Sequence, residues 1–424
     1  MICLMPHCGF LSSTSRMLEI YHALRHRRVP ARIATHGGTY ERVLREVGVP
    51  YDQVGPRMTE SRCARFIRDE IGMGFVGQSM YTDDELRQYV RAEVAYFRRH
   101  RVRVVVTGFT LTTLLSTRLA GAHLVTEHAG CWVPPTYERG LLPAPSQRRF
   151  SFLPAGLLRR LSNTLPNRVP FYCGGFNRVA AELGAPRVPS LAALVLGDLT
   201  LVPEVPEVLG IPAEELAAWH PRGRPGYRPQ TRLRYSGPLY ARLDVAMPPR
   251  VAEFLRRPDP IVYVALNSTE PELVRKVVGA VRALSVRVLV AATAHDLADL
   301  DDGEQVVVGG VLPSHRVMPA VRLAITAGGQ GSVQTAMAAG TPVLGIPLQP
   351  EQDLNLALLE RVGAARLMPL RHAATSRMTA VAGQMLADDS YRRAAARIRA
   401  AYDRTDGPGN AAEAILDLLE RRPA

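Results

Sequence analysis

The chain has 424 residues, 52 of them Lys or Arg against 39 Asp or Glu, for a net charge of +13; 47% are hydrophobic and 21% charged. That length exceeds one ordinary core and points to two or three domains. The composition is that of a soluble globular chain, no apolar run approaches the roughly 18 residues of a bilayer span, and the positive charge, almost all arginine, reads as scattered rather than as a basic stripe with interleaved aromatics, so a membrane-spanning class is excluded and a nucleic-acid-binding class disfavoured.

The N-terminal Met1-Ile-Cys-Leu-Met-Pro6 is apolar but too short for a leader and reads as a first buried strand. Five cysteines (Cys3, Cys8, Cys63, Cys131 and Cys173) show no CxxC spacing, which predicts free thiols and a cytoplasmic protein. A helix follows at 13–27, with Met17, Leu18, Tyr21 and Leu24 at helical spacing. A strand at 31–35 ends in His36-Gly-Gly38, and a short helix at 39–47 is stopped by Gly48. A long charged helix at 83–100, a strand at 102–107, a helix at 110–120 and a strand at 123–126 come next, the last ending in Glu127-His128-Ala-Gly130. Strands alternating with helices argue for a parallel sheet covered on both faces. From 132 to 170 seven prolines preclude a long regular helix, and a loop of this length suggests a binding or lid segment that shapes an acceptor pocket.

The domain link is expected between 221 and 240, giving domains at 1–230 and 231–405, with residues 406–424 as a terminal helix. The second half restarts the alternation with strands at 261–266, 286–290 and 305–308. The final helix begins after Gly407-Pro-Gly409, where Asn410 and Glu413 have capping-box spacing.

The most informative stretch is Ala327-Gly-Gly-Gln-Gly-Ser-Val-Gln334, between a strand at 322–326 and a helix, followed by Gly340-Thr-Pro342, a strand at 343–347, and Glu351-Gln352 with Asn355. A glycine turn feeding a helix N-terminus leaves backbone amides exposed where the helix dipole is positive, which suits a phosphate. Ser332 can cap the helix or donate to a phosphate oxygen. Glu351 and Gln352, at the start of the next helix, suit the vicinal hydroxyls of a sugar.

These residues resemble the donor-binding motif of GT-B glycosyltransferases, the family of plant and bacterial UDP/dTDP-sugar transferases acting on small molecules. Its pattern is His-Gly-Gly-x-Gly-Ser/Thr, Gly-x-Pro, then Asp/Glu-Gln and Asn. Gly328, Gly329, Gly331, Ser332, Gly340, Pro342, Glu351, Gln352 and Asn355 match, whereas Ala327 stands where the family has its phosphate-binding His. The resemblance implies an α/β, GT-B fold: two facing Rossmann-like doubly wound domains with an interdomain cleft, and a terminal helix crossing back to the N-terminal acceptor-binding domain. It implies a donor set of Asn267, Ser268, Val311, Gly328, Gly329, Gln330, Gly331, Ser332, Val333, Glu351 and Gln352. Val311 takes the place of the segment that stacks on the base, and Asn267-Ser-Thr269 that of a glycine turn near the phosphate.

Loops at the carboxyl ends of parallel strands face the cleft. Phe10 replaces the family's general-base His in the loop after the first strand, which leaves His7 or Glu127, with His128 third, as the candidate base. Phe10, Ser13, Arg16, His36 and Trp132 form the expected acceptor set. The implied reaction is inverting, metal-independent glycosyl transfer in natural-product biosynthesis, with the nucleotide-sugar as substrate, no cofactor and no metal. Partners are the donor and a small-molecule acceptor; a homodimer is left open. Three other readings stay open: a nucleotide-sugar epimerase on the same fold; a non-catalytic auxiliary subunit, because two expected histidines are missing; and the disfavoured nucleic-acid binder, which salt-dependent retention on DNA would reveal. There is no zinc-ligand spacing, no Gly-Lys-Ser/Thr phosphate loop and no Gly-x-Ser-x-Gly elbow.

Overall fold

Runs of β-branched and aliphatic residues, buried on both faces, build two all-parallel sheets. In the computed structural model, which describes residues 1–71, 80–147, 150, 152–170, 172–221, 227–228, 230–242, 245–266, 269–292 and 296–420, the first sheet contains β1 (Ile2–Leu4), β2 (Ala31–Thr35), β3 (Tyr51–Gln53), β4 (Val104–Thr107), β5 (His123–Glu127), β6 (Leu199–Val202) and β7 (Arg232–Tyr235). The second contains β8 (Ile261–Ala265), β9 (Arg287–Ala291), β10 (Val306–Gly309), β11 (Leu323–Thr326), β12 (Val343–Gly345) and β13 (Ala365–Leu367). The strand orders are β3-β2-β1-β4-β5-β6-β7 and β10-β9-β8-β11-β12-β13. Both are doubly wound orders, and each reverses direction once, between β1 and β4 in the first sheet and between β8 and β11 in the second. The loops leaving those strand pairs are where such sheets hold ligands.

The chain divides into two units, Met1–Leu141 with Leu161–Leu239 and Asp406–Ala424, and Leu142–Arg160 with Tyr240–Thr405. The first unit therefore runs past residue 230, because β7 pairs in register with β6 (Leu201 with Arg234) and completes the first sheet. Residues 142–160, read from the sequence as part of the first domain, cluster with the second unit. Asp353 is one anchor: its Oδ2 accepts the Ser146 N–H at 3.1 Å and the Gln147 Nε2–H at 2.7 Å, and burial pushes its carboxyl above the usual range.

The final helix, Gly407–Leu419, belongs to the first unit. Arg27 Nη2 donates to Gly409 O at 3.0 Å, Arg103 Nη2 to Leu419 O at 2.7 Å, and Arg234 pairs with Glu413 and Asp417. A side chain at Gly407 would strike the Pro238 carbonyl, so only glycine permits this approach. The expected capping box is absent. Asp406 caps the helix by accepting the Gly409 N–H, and Asn410 lies one turn inside, donating to Ser236 O at 3.0 Å. The first helix likewise starts earlier than its serines suggested. It spans Leu11–His26, with Phe10 as an N-cap that supplies no side-chain bond, while the Thr14 and Ser15 hydroxyls bond back to Phe10 O and Leu11 O.

Candidate functional site

In the second unit the glycine turn sits where β11 leaves the reversal point of its sheet. Gly328 has φ +84°, a left-handed conformation that favours glycine. A Cβ there would fall 2.6 Å from Leu356 Cδ1, and Leu356 also fills the space a side chain at Gly345 would need. These two bare positions let the helix Pro350–Arg361 lie directly on the ends of β11 and β12. Asn355 then locks the turn, its Nδ2 donating to Gly328 O at 3.1 Å and to Glu351 Oε1 at 3.2 Å. Gln352 is buried and its Oε1 accepts the Leu348 N–H at 2.7 Å, so its NH2 group is what remains for a ligand. Gly328, Gly329, Gln330, Gly331, Ser332, Val333, Glu351 and Gln352 thus form one locally braced constellation.

The helix Gln330–Ala339 begins at Gly329 (φ −61°, ψ 145°) with no side-chain cap. Its first intrahelical bond runs from Val333 N–H to Gly329 O, so the amides of the preceding turn, including those of Gly331 and Ser332, head outward at the positive end of the dipole. A side chain at Gly329 would meet nothing within 4 Å. Val311 lies just beyond β10 and is 43% exposed. Asn267 and Ser268 lie outside the described residues.

In the first unit the loops leaving β1, β4 and β5 bring together rings and titratable groups. His7 stacks on Phe66 (centroids 4.5 Å) and Phe10 (5.3 Å); Phe10 meets Phe109 (5.8 Å), which meets both His128 (5.5 Å) and Trp132 (6.0 Å). Phe109 and Phe66 were missed in the sequence. Phe109 follows β4 at the reversal point, and the strand-end rule applied to His36 and Glu127 would have found it; nothing comparable marks Phe66. Arg16 Nε donates to Glu127 Oε2 at 2.6 Å in a buried ion pair, and Ser13 lies against Gly108.

Hydrogen-bond partners fix the two histidine tautomers. His7 Nδ1 accepts the Gly9 N–H at 3.2 Å; an amide N–H can only donate, so the neutral ring carries its proton on Nε2, which is buried and unpartnered among the described residues. His128 is the reverse. Its ring bonds the Val195 backbone in a way that favours protonation, as an N–H given to a carbonyl does; Nε2, buried as well, has no partner among the described residues, so Nδ1 makes that bond and Nε2 keeps its lone pair. Burial holds both rings neutral, at about 3, with His36 adding to the effect on His7 and Arg16 to that on His128. His7 is thus built as a donor, which counts against the base role expected for it, whereas the tautomer of His128 suits a proton acceptor.

His36 does not fit the acceptor set. Its Nδ1 bonds Val54 O at 2.9 Å and its Nε2 bonds Glu93 Oε1 at 2.8 Å, and the Thr112 and Ser116 hydroxyls also donate to the buried Glu93. Both ring nitrogens are committed to the interior. Among the described residues no helix is long and apolar enough to cross a membrane, and no three metal-ligating side chains converge.

Comparison with known proteins agrees with this architecture. Residues 298–408 match the family model "UDP-glucoronosyl and UDP-glucosyl transferase". A PGL/p-HBAD biosynthesis glycosyltransferase of Mycobacterium tuberculosis is 30% identical over 330 residues, covering 77% of this chain and 73% of that protein. A PGL/p-HBAD biosynthesis rhamnosyltransferase of Mycobacterium bovis is 27% identical over 384 residues, covering 88% and 81%. The crystal structure of the glycosyltransferase VinC in complex with dTDP shares the fold, with a TM-score of 0.68 at 18% identity over 99% of this chain and 100% of that one. With both doubly wound sheets in place and a relative of this similarity spanning most of both sequences, the chain belongs to the GT-B nucleotide-sugar glycosyltransferases, the enzymes of the UDP-glucuronosyl and UDP-glucosyl transferase type.

Proposed function

We propose that this glycosyltransferase moves a sugar from UDP or dTDP to a hydroxyl of a small natural-product acceptor, with inversion and without a bound metal or cofactor. The carrying observation is the uncapped first turn of the helix Gln330–Ala339, held open by Gly328 and Asn355. The bond from the anomeric carbon to the phosphate oxygen breaks, its electron pair leaves on the diphosphate, and the amides of Gly331 and Ser332 with Ser332 Oγ stabilise that charge where it develops. Glu351 and the Gln352 NH2 orient the sugar, and Val311 offers an apolar surface to the base.

The acceptor oxygen forms the new bond on the opposite face and gives up its proton. His128 Nε2 is the acceptor of that proton in this reading. A ring of such low basicity takes it late, once bonding to the oxocarbenium-like sugar has made the hydroxyl acidic. The Arg16–Glu127 pair steadies the neighbouring strand end, His7 Nε2–H donates to the acceptor, and Phe10, Phe109 and Trp132 supply its apolar wall. The choice between UDP and dTDP follows the family model and the dTDP-bound VinC structure respectively.

A thermal-shift panel of nucleotides and nucleotide sugars tests the reading, since ligands that bind only the folded state raise its Tm. UDP or dTDP and their sugars are expected to stabilise the protein where nucleosides do not. Ser332→Ala and Glu351→Ala should abolish transfer with the fold intact, the anomeric configuration of the product should be inverted, and chelators should leave the rate unchanged. Equal turnover in both variants removes the site assignment. Consumption of donor without any acceptor glycoside favours the epimerase reading instead.

A further inference from the structure

The first turn of the helix Pro350–Arg361 carries three polar side chains in a row, Glu351, Gln352 and Asp353. The third is 1% exposed and has no part in the chemistry described so far. Its carboxyl holds a stretch of chain far away in sequence: Oδ2 accepts the Ser146 N–H at 3.1 Å and the Gln147 Nε2–H at 2.7 Å. Residues 142–160 cluster with the second unit, although Leu141 and Leu161 on either side of them belong to the first. The tie therefore fastens an excursion of the chain to the helix start that bears Glu351 and Gln352.

This tie is one proton short. Gln147 Oε1 and Asp353 Oδ1 are both buried acceptors, and neither has a donor among the described residues. Such acceptors are costly, and a buried carboxylate without a cation is costlier still. The bonds that reach Asp353 come from neutral groups. The other ionisable residues of its helix are Glu351, Glu360 and Arg361, and the described ones of the fastened segment are Arg159 and Arg160. Of the elements packed on the helix, Gln330–Ala339 has no ionisable residue and β13 has Arg366, which pairs with Glu360. None of these is among the influences on the carboxyl, which are its burial and the Ser146 and Gln147 bonds. Arg148 and Arg149 lie outside the described residues. One proton on Oδ1 removes the buried charge and makes that oxygen a donor to Gln147 Oε1. The acid and the amide, already joined by N–H···O, then close a second bond in the opposite sense.

We propose that Asp353 is a positioning residue for the donor sugar: as a neutral acid it forms a two-bond clasp with Gln147 that pins 142–160 to the turn bearing Glu351 and Gln352. The sugar role of those two residues rests on the function proposed above; the clasp does not. Burial raises the carboxyl above its ordinary range, so the folded chain keeps this proton to higher pH than the unfolded one. The clasp is intact at low pH and is lost as the pH rises through the folded value.

Infrared difference spectra of the full-length protein against Asp353→Asn read the proton directly: the carbonyl stretch of a protonated carboxyl is expected in wild type and absent in the variant. The amide of D353N keeps both bonds, its oxygen accepting and its NH2 donating to Gln147. D353N should therefore match wild type in KM for the nucleotide sugar at mildly acidic pH and surpass it at alkaline pH. Asp353→Ala should raise that KM about tenfold at mildly acidic pH, the loss of roughly two neutral hydrogen bonds, with the affinity for free UDP or dTDP unchanged. Should D353A misfold, Gln147→Ala, at a half-buried position outside any helix or strand, is expected to give the same split. A missing carboxyl stretch, or D353N behaving like D353A, would overturn the clasp. Unchanged KM in folded D353A and Q147A, with transfer abolished by Glu351→Ala, would overturn the positioning role and leave the proposed function standing. Undiminished transfer in Glu351→Ala would overturn the sugar assignment and with it the positioning role, while the infrared difference still reports the clasp.

Discussion

Acidification should destabilise the first unit by an amount that two buried imidazoles set. His7 and His128 titrate at about 3 in the folded protein against an ordinary value of 6.5, each driven chiefly by burial. Between those values the unfolded chain binds a proton at each ring and the folded chain does not. Stability is therefore constant above pH 6.5 and falls as the pH drops, by ~1.4 kcal/mol per unit and per ring. At pH 5 the two together should cost ~4 kcal/mol relative to pH 7, a large part of the stability of an ordinary domain. Both tryptophans, Trp132 and Trp219, lie in the first unit, so urea denaturation followed by their fluorescence isolates its transition. His7→Gln and His128→Gln should each remove ~2 kcal/mol of the difference between pH 7 and pH 5, because the remaining titratable groups cancel in the comparison. A pH dependence identical in wild type and both variants would refute the neutral, buried state on which the tautomer argument depends.

The other consequences are more local. Gly345→Ala forces a methyl into Leu356 and should destabilise the second unit by ~1–3 kcal/mol, with Leu356→Ala relieving the clash in the double variant; at Gly328→Ala the same relief should be partial, because the positive φ persists. Chemical denaturation followed by circular dichroism checks both. In steady-state kinetics His128→Gln should lower kcat by ~10²–10⁴, the range of general-base loss, whereas His7→Gln should act chiefly on the KM for the acceptor. The opposite split would return the base role to His7.

Much of the fold was legible because glycine and proline punctuation recorded close packing. Gly328 and Gly340 mark left-handed turns on either side of one helix, and Pro350 opens the next. The short edge strands β3 (Tyr-Asp-Gln) and β13 (Ala-Arg-Leu) left no pattern, since their few residues mix polar with apolar, unlike the equally short but wholly buried β1 and β12. β7 was hidden because alternating charge in Arg-Leu-Arg-Tyr resembles a linker until β6 pairs with it. The grouping of 142–160 with the second unit depends on bonds such as those to Asp353, more than 200 residues away, which no local pattern encodes. At the site the donor motif was readable as a contiguous spacing. The first-unit cluster was only partly so. His36 had the right address at a strand end, but Glu93, 57 residues on, claims it. The difference between His7 and His128 depends on which backbone group each ring touches, and that is invisible in residue types.

The central claim is that the first turn of the helix Gln330–Ala339 holds the diphosphate on its open amides, and one substitution isolates it. Gly329→Asp places a carboxylate where the backbone is already extended and the space empty, so it should cap the helix and leave Tm unchanged or slightly raised. The same carboxylate occupies the amides of Gly331 and Ser332 and repels an anion. Calorimetric titration with UDP and dTDP should therefore show affinity falling about 100-fold or more relative to Gly329→Ala, the loss of roughly two charge-assisted hydrogen bonds. Equal affinity in the two variants, with the cap formed, would contradict the account.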